Sequence, residues 1–315
     1  MTEDPFAAHR ALLFTVAYEM TGSASDAEDV IQESWLRWAA VDQSQVSDPR
    51  AYLVRTVTRQ ALNRLRTLSR RREEYIGQWL PEPLLTAPDV ADDIELAESV
   101  SIAMLTVLET LAPAERAVFV LREVFQMPFD EIAEAIGKPA ATARQIARRA
   151  RTHVAARRPR AQVTQAEQET VVEQFLAALR SGQLQHLMDV LAPDVVLIAD
   201  GGGFAAAAPA PLYGAQAVAR LLVGRNRTVS ILWLNGAPAI RVDSDRQPAV
   251  VSLEVKEGRI SGIYAIANPT KLTRLNEPTE LARKPARTRR NGADEFGNGG
   301  SSGLVGTEGR SPWIP

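Results

Sequence analysis

The hydrophobic pattern of the chain changes its period once, just beyond the midpoint, and this change limits the possible folds more than any other feature. From Phe6 to Val154, apolar residues recur at helical spacing, interrupted by glycine and proline. Residues 161–275 start with helical segments and continue as β-branched runs, with turn signals at Asn235-Gly236 and Glu257-Gly258. We therefore expect all-α modules followed by an α+β domain whose helices cover one curved antiparallel sheet.

Breaks in this pattern divide the chain into five segments. Its 315 residues are about twice the length of a typical domain, so more than one core is expected. The predicted segments are a helical bundle (1–72), a proline-rich linker (73–92), a helix-turn-helix module (93–160), the α+β domain (161–275) and a disordered tail (276–315).

Several functions are disfavoured by the residues that the chain lacks. It contains no cysteine and only three histidines, which argues against disulfides, thiolate metal sites and a cysteine nucleophile. No apolar run reaches the roughly 18 residues that a membrane span needs. We expect a cytoplasmic protein with no metal, no cofactor and no membrane association.

Positive charge is concentrated in two blocks. Residues 50–72 and 137–160 each contain 8 basic residues and no acidic one, whereas 73–136 contain 2 basic and 14 acidic residues. A single basic run is usually a solvated helix face, but two acid-free runs favour a polyanion that is gripped at two places.

Each basic block coincides with a predicted helix that displays polar side chains. The helix beginning at Pro49 and continuing to about Leu68 displays Arg55, Arg59, Asn63 and Arg66. The second block follows FDEIAEAIG and Pro139, the outline of a helix-turn-helix. Its second helix has an alanine-lined inner stripe, and its outward residues are Arg144, Gln145, Arg148, Arg149 and Arg151. Arginine and glutamine side chains suit base edges in the major groove.

One predicted helix has the opposite charge. It begins near Ser25, which is followed by Glu28 in the capping-box arrangement, and ends at about Ala40. Its outward face carries Asp26, Asp29 and Glu33. Because a negative face repels DNA, we expect this helix to bind a protein partner.

Several segments of the sequence resemble those of a known family. DAEDVIQESWLRW is similar to region 2.2 of extracytoplasmic-function (ECF) sigma factors, DPRAYLVRTVTRQALNRLR to regions 2.3 and 2.4, and residues 111–151 to region 4. The strings YIGQWLPEP, DGGG and NPTKL resemble signatures of the subgroup with a C-terminal SnoaL-like domain of the NTF2-like fold. The resemblance covers residues 6–275.

The resemblance implies a role for each surface. The helix at 49–68 and its preceding loop would engage the -10 promoter element, and the helix at 139–154 the -35 element. The acidic helix would bind the β′ clamp helices of core RNA polymerase, and the β subunit is a further expected contact. Many relatives have aspartate where this chain has Asn63, so the role of this position is open.

For the C-terminal domain, two interpretations remain. The resemblance implies a built-in regulator that makes a separate anti-sigma factor unnecessary, acting through an interdomain set of residues. That set comprises Tyr75, Trp79, Leu80, Pro81, Asp200, Gly201, Gly202, Gly203, Asn268, Pro269, Lys271 and Leu272. The alternative is a domain that binds a small molecule or is catalytic, which needs Asp200 or Asp243 inside the cone with a partner within hydrogen-bond reach; His186 is the single histidine of the domain. We favour the regulator and expect no catalytic residue.

Overall fold

The computed structural model describes residues 4–157, 163–223, 228–243 and 248–283; the predicted tail beyond residue 283 and most of the connector 157–160 lie outside the described residues. Within these ranges, the first half of the chain is helical. Its helices are α1 (Pro5–Thr21), α2 (Ala24–Ala39), α3 (Pro49–Glu73), α4 (Ile94–Val100), α5 (Ile102–Leu108), α6 (Pro113–Phe119), α7 (Phe129–Ile136) and α8 (Ala140–Arg157).

Helix α2 begins two residues earlier than the capping-box pattern predicts. The N-cap is Ser23, whose backbone is extended and whose Oγ accepts a hydrogen bond from the Asp26 amide. Ser25 lies in the first turn, and its amide donates instead to the Glu82 carboxylate at 3.2 Å. The long-range partner therefore replaces the local capping box that was expected at Ser25.

Apolar residues recur at helical spacing from about Ile94 to Leu111, which predicts one helix, but the structure divides this stretch into α4 and α5. Ser101 has extended ψ (144°), and its hydroxyl accepts from the Met104 amide to cap α5. The helix that starts at Pro113 continues past Phe119 as a π-helical turn over Val120–Val124. The helix-turn-helix follows, with Gly137 in the left-handed region (φ 66°) between α7 and α8.

The second half is an α+β cone, the NTF2-like architecture expected from the sequence. Its helices are α9 (Gln165–Ser181), α10 (Leu184–Val190) and α11 (Ala215–Leu222). Its strands are β1 (Leu191–Asp200), β2 (Leu212–Tyr213), β3 (Thr228–Leu234), β4 (Ala237–Asp243), β5 (Ala249–Lys256) and β6 (Arg259–Ile266).

These strands form one sheet in the order β2-β1-β6-β5-β4-β3. Strands β1 and β6 pair in parallel. The prediction of a purely antiparallel sheet was therefore wrong for this pair. The remaining pairs are antiparallel. The Asn235-Gly236 and Glu257-Gly258 pairs both have positive φ, as two-residue hairpin turns require.

Burial shows that the two helical modules are not independent in this structure. Helices α1 to α8 share one hydrophobic core, and Leu281 from beyond the cone packs against it. The cone has its own apolar core between its helices and its sheet. A third, smaller cluster joins Leu80 of the linker and Ile102 of α5 to buried residues of the sheet. Residues 80–86 of the linker are therefore packed between the helical half and the cone.

The predicted disordered tail begins too early. Residues 276–283 make defined contacts with the helical half: the Thr279 amide donates to Leu85 O at 2.8 Å, and the Ala282 amide donates to Thr15 Oγ1 at 3.0 Å. The Pro-, Arg- and Gly/Ser-rich composition of the tail predicted disorder, but long-range hydrogen bonds hold its first residues.

Candidate nucleic-acid interface and interdomain clamp

The polar stripe of α3 is partly covered by α7. Asn63 and Arg66 are exposed and bonded to each other, with Arg66 Nη1 donating to Asn63 Oδ1 at 3.3 Å. The Arg55 guanidinium forms an ion pair with Glu134, and Arg59 Nη2 donates to the Glu134 carbonyl at 2.9 Å. One half of the stripe therefore faces solvent, and the other half faces the helix-turn-helix.

The outward face of α8 is exposed as predicted, while its alanine stripe is buried. The buried residues are Ala143, Ile146, Ala147, Ala150 and Val154. The Arg144 guanidinium lies 5.6 Å from the Phe129 ring centroid. Arg149 and Arg151 lie within 3.7 Å of Glu115 and Glu123 respectively, as exposed pairs that contribute little to stability. These arginines can therefore leave the carboxylates and bind phosphates instead.

The acidic face of α2 is smaller than the sequence indicates. Asp26 is 7% exposed and accepts from Arg64 Nε at 2.7 Å, so it connects α2 to α3. Glu33 is exposed, as is Asp29, which also pairs with Arg64. The surface beside them carries Trp35 and Leu36, which are 46% and 57% exposed. This apolar component was missed in the sequence because both residues fit a core stripe equally well.

The three signature strings converge on one carboxylate, that of Asp200 at the end of β1. Asp200 is fully buried and accepts hydrogen bonds from the Tyr75 hydroxyl (2.5 Å), the Leu80 amide (2.9 Å) and Lys271 Nζ (2.7 Å). Lys271 Nζ also donates to the Leu80 carbonyl. We call this group, with Trp79 and Asn268, the linker clamp.

Aromatic rings enclose the lysine of the linker clamp. Lys271 Nζ lies 3.2 Å from the Trp79 ring centroid and 4.9 Å from that of Tyr75, and the two rings meet edge to face. The ammonium group is thus held by a carboxylate and two π faces, a geometry in which desolvation strengthens attraction. Burial and the hydrogen bond to Asp200 raise the pKa of Tyr75, so its hydroxyl remains a donor.

The glycines after Asp200 allow close approach of the other strings. A Cβ on Gly202 (φ 57°) would lie 2.2 Å from Asn268 Nδ2 and 2.9 Å from the Tyr75 hydroxyl. Asn268 Nδ2 in turn donates to that hydroxyl at 2.8 Å. Gly201 lies against Ala205 and Ala207, a few residues further along its own loop. Gly203 lies against Ile76 of the linker.

The remaining predicted clamp residues frame this centre. Pro81 is buried beside Leu80, Pro269 begins a short 3-10 turn that ends at Lys271, and Leu272 packs on the third apolar cluster. The structure therefore brings every predicted interdomain residue to one region.

A second joint was missed by sequence reasoning. The buried side chain of Asn235 donates to the Tyr18 hydroxyl (2.7 Å) and to Val100 O (2.8 Å), and accepts from the Leu84 amide (2.9 Å). It therefore connects the cone, the linker, α1 and α4. The Asn-Gly pattern indicated only a hairpin turn, and no local signal reveals these distant partners.

A buried charged group lies between α1 and α6. Arg116 is 2% exposed; its Nε donates to Glu19 O at 2.8 Å and its Nη1 to Glu109 Oε1 at 2.7 Å. The Glu19 carboxyl is fully buried and accepts from Ser99 Oγ. Burial raises the pKa of Glu19 from its usual 4.5 to about 8.

This pKa predicts a pH dependence of stability. A carboxyl whose folded-state pKa is raised stabilises the fold fully below about 4.5, and that contribution is lost as the pH rises to about 8. The Glu19→Gln variant stays neutral, so its melting temperature relative to the parent should increase between pH 5 and pH 8. The exposed Glu173→Gln variant should show no such change. If the difference in melting temperature between the parent and Glu19→Gln is the same at pH 5 and pH 8, the raised pKa of Glu19 is contradicted.

Two surface features define the class of the protein. Arginine-bearing helices lie on two helical modules, and the second belongs to a helix-turn-helix, so the chain is a DNA-binding protein with an appended α+β domain. Among the helices that the structure describes, none has the length and apolar character to cross a bilayer.

Comparisons with known proteins place it within this class. The family "Sigma-70 region 2" matches residues 6–71, and "Sigma-70, region 4" matches residues 101–154. The chain is 36% identical over 294 residues to "ECF RNA polymerase sigma factor SigJ" of Mycobacterium tuberculosis, covering 87% of this chain and 94% of that protein. It is 33% identical to "Probable ECF RNA polymerase sigma factor SigI" of the same species, with 85% and 93% covered.

A solved structure agrees with these sequence matches. The crystal structure of M. tuberculosis SigJ superposes with a TM-score of 0.70 at 34% identity, covering 85% of this chain and 96% of that one. The chain therefore belongs to the ECF family of RNA polymerase sigma factors. Core RNA polymerase and promoter DNA are the partners that this membership entails.

Proposed function

We propose that this sigma factor recognises the -10 element with α3 and the -35 element with α8, and that its C-terminal domain regulates it in cis by fixing the linker between them. The observation that carries the proposal is the linker clamp: a buried carboxylate of the cone binds the linker backbone and Tyr75. Because the cone itself performs this function, no separate anti-sigma factor is required.

The contact between α3 and α7 supports a closed state that must open on promoter DNA. Elements named for positions -10 and -35 lie about 25 base pairs apart, which is about 85 Å along B-DNA at about 3.4 Å per base pair. Helix α3 instead packs directly on the helix-turn-helix, with Arg55 and Arg59 bound to Glu134. The two modules must therefore separate before both elements can be bound.

The exposed face of α2 supports a polymerase contact. Asp29 and Glu33 supply negative charge, and the exposed Trp35 and Leu36 supply apolar area. Such a mixed patch suits a protein partner, for which we propose the β′ clamp helices, with the β subunit contacting the second module. Asp26 is not part of this patch because it is buried against Arg64.

The residues of the enzyme alternative do not form a catalytic group. Asp200 is occupied by the linker, and Asp243 forms an exposed pair with Arg241. His186 is exposed and lies 3.0 Å from Ser181 Oγ. The interior between the helices and the sheet is packed with apolar side chains. These placements support a regulatory role over a catalytic one.

Reconstituted transcription with core polymerase tests the proposal. The full chain should direct promoter-specific initiation. A chain ending at residue 160 should keep promoter selectivity, but its transcript yield at limiting sigma factor should differ from that of the full chain. Trp79→Ala, which removes a ring of the linker clamp, should shift the full chain towards the behaviour of the shortened one. Failure to form a complex with core polymerase, or transcription that ignores promoter identity, would refute the proposal.

Reversing the charge of Glu134 should open the closed state. In Glu134→Arg, an arginine would face Arg55 and replace an attraction with repulsion. We expect promoter DNA binding by the free sigma factor to increase about three- to tenfold, since a contact of this kind is worth about 1 kcal/mol. Glu173→Arg makes the same charge change on the exposed face of α9 and controls for net charge. Equal affinities for the two variants would argue against occlusion.

A further inference from the structure

The chain continues past the signature strings and crosses the boundary between the two helical modules. After Lys271, Arg274 lies 3.6 Å from Glu28 of α2, and Leu275 packs on the third apolar cluster. Residues 276–283 (NEPTELAR), which we call the strap, then extend over the helical half.

The strap contacts both modules within a few residues. The Ala282 amide donates to Thr15 Oγ1 on α1 at 3.0 Å, and Thr15 is fully buried. The next residue, Arg283, forms an ion pair with Glu95 and lies 3.6 Å from Asp93 at the start of α4. Helix α1 belongs to the first module and α4 to the second, so consecutive residues connect the two modules.

The strap is held by apolar packing as well as by polar contacts. Leu281 is partly buried against the core that α1 to α8 share. The Arg283 side chain is 11% exposed and faces Asp93 and Glu95, whose side chains are 45% and 65% exposed, so the ion pairs lie at the edge of the solvent. The Thr279 amide fixes the start of the strap to Leu85 of the linker.

We propose that residues 276–283 form an autoinhibitory strap that holds the second module against the first and must detach from at least one of them when the sigma factor opens. This inference rests on the proposed opening of the chain on promoter DNA. Its contacts are distinct from those of the linker clamp, because the clamp holds residues 75–81 to the cone whereas the strap joins α1 to α4.

The absence of cysteine allows the test to be made on the full chain with introduced labels. Cysteines placed at the exposed positions Thr67 on α3 and Ala156 on α8 would report the separation of the modules by electron-spin or fluorescence distance measurement. In this background, Leu281→Asp should raise the population of the separated state about tenfold, and transcription at limiting sigma factor should rise with it. Glu280→Ala, an exposed change within the strap, should leave both readouts unchanged.

A charge exchange distinguishes a specific strap contact from general destabilisation. Arg283→Glu should separate the modules, and Glu95→Arg in the same chain should restore the closed distance by re-forming the pair in reverse. A chain ending at residue 275 should behave like Leu281→Asp, and one ending at residue 283 like the parent. The exchange also keeps the test decisive if Leu281→Asp fails to fold.

The outcomes separate this inference from the proposed function. If Trp79→Ala changes promoter-specific transcription while the strap variants and the chain ending at 275 leave the distances unchanged, the strap is refuted and the proposed function stands. If every variant forms a complex that ignores promoter identity, the proposed function fails. Loss of closure on strap removal together with its recovery in the Arg283→Glu/Glu95→Arg pair supports the strap.

Discussion

Replacing Asp200 with asparagine is expected to release the linker from the cone. The change removes the charge that neutralises Lys271, which is 5% exposed, so the buried ammonium group loses its carboxylate counter-charge. Breaking a buried ion pair in this way typically costs about 3–5 kcal/mol. The Tyr75 hydroxyl and the Leu80 amide also lose a charged acceptor. We therefore expect faster hydrogen exchange and proteolysis across residues 75–81, with altered promoter-dependent transcription.

Two variants control this experiment. Asp243→Asn removes the same charge from an exposed pair on the cone, where the effect should be below about 1 kcal/mol. Adding Lys271→Met to Asp200→Asn removes the buried charge that has lost its carboxylate, and should recover part of the lost protection. Unchanged exchange at residues 75–81 in Asp200→Asn would show that the linker clamp does not hold the linker.

Replacing Arg148 with alanine is expected to weaken binding of the -35 element. Arg148 lies on the exposed face of α8, opposite the buried alanine stripe. If its guanidinium reads a base, the loss should be about 1–3 kcal/mol and should relax specificity at one position. If it meets a phosphate, binding should weaken equally on all sequences, and the salt slope should fall by about one unit.

The same helix supplies a matched control for this prediction. Arg157 lies nine residues further along α8, half a turn away from Arg148 on the helical wheel, and is also exposed. Arg157→Ala should have the smaller effect on the -35 element. Titration of the full sigma factor with duplexes at several salt concentrations measures both the affinity and the salt slope. If neither affinity nor salt slope changes in Arg148→Ala, then α8 is not the recognition helix.

Local sequence was sufficient for the elements and for several of their surfaces. The alanine stripe of α8 predicted both the buried face and the outward arginines, because a helix places residues three and four apart on the same side. The Asn235-Gly236 and Glu257-Gly258 pairs predicted the hairpin turns that the structure contains, since both residues of such turns need positive φ. The fold class followed from the order of these elements, and the sigma factor family from the resemblance of their motifs to those of known members.

Tertiary contacts decided which of the displayed residues are accessible. Asp26 reads as part of an open acidic face, but Arg64 from α3 covers it. Arg55 and Arg59 read as free DNA contacts, but Glu134 of α7 occupies them. Periodicity reports the direction of a side chain on its own helix and carries no information about which helix packs there.

The sequence by itself determined the elements and the two cationic modules, because these depend on neighbours within a few turns, and its motifs carried the resemblance to the family. The resemblance placed Asp200, Tyr75 and Lys271 in one interdomain set, and only the tertiary structure decided that Tyr75 and Lys271 meet at the buried Asp200 carboxylate, although 125 residues separate Tyr75 from Asp200. It also decided that the first residues of the predicted tail connect α1 to α4. Such contacts arise when distant segments exchange solvent for each other, and their stability depends on three-dimensional burial that no local pattern encodes.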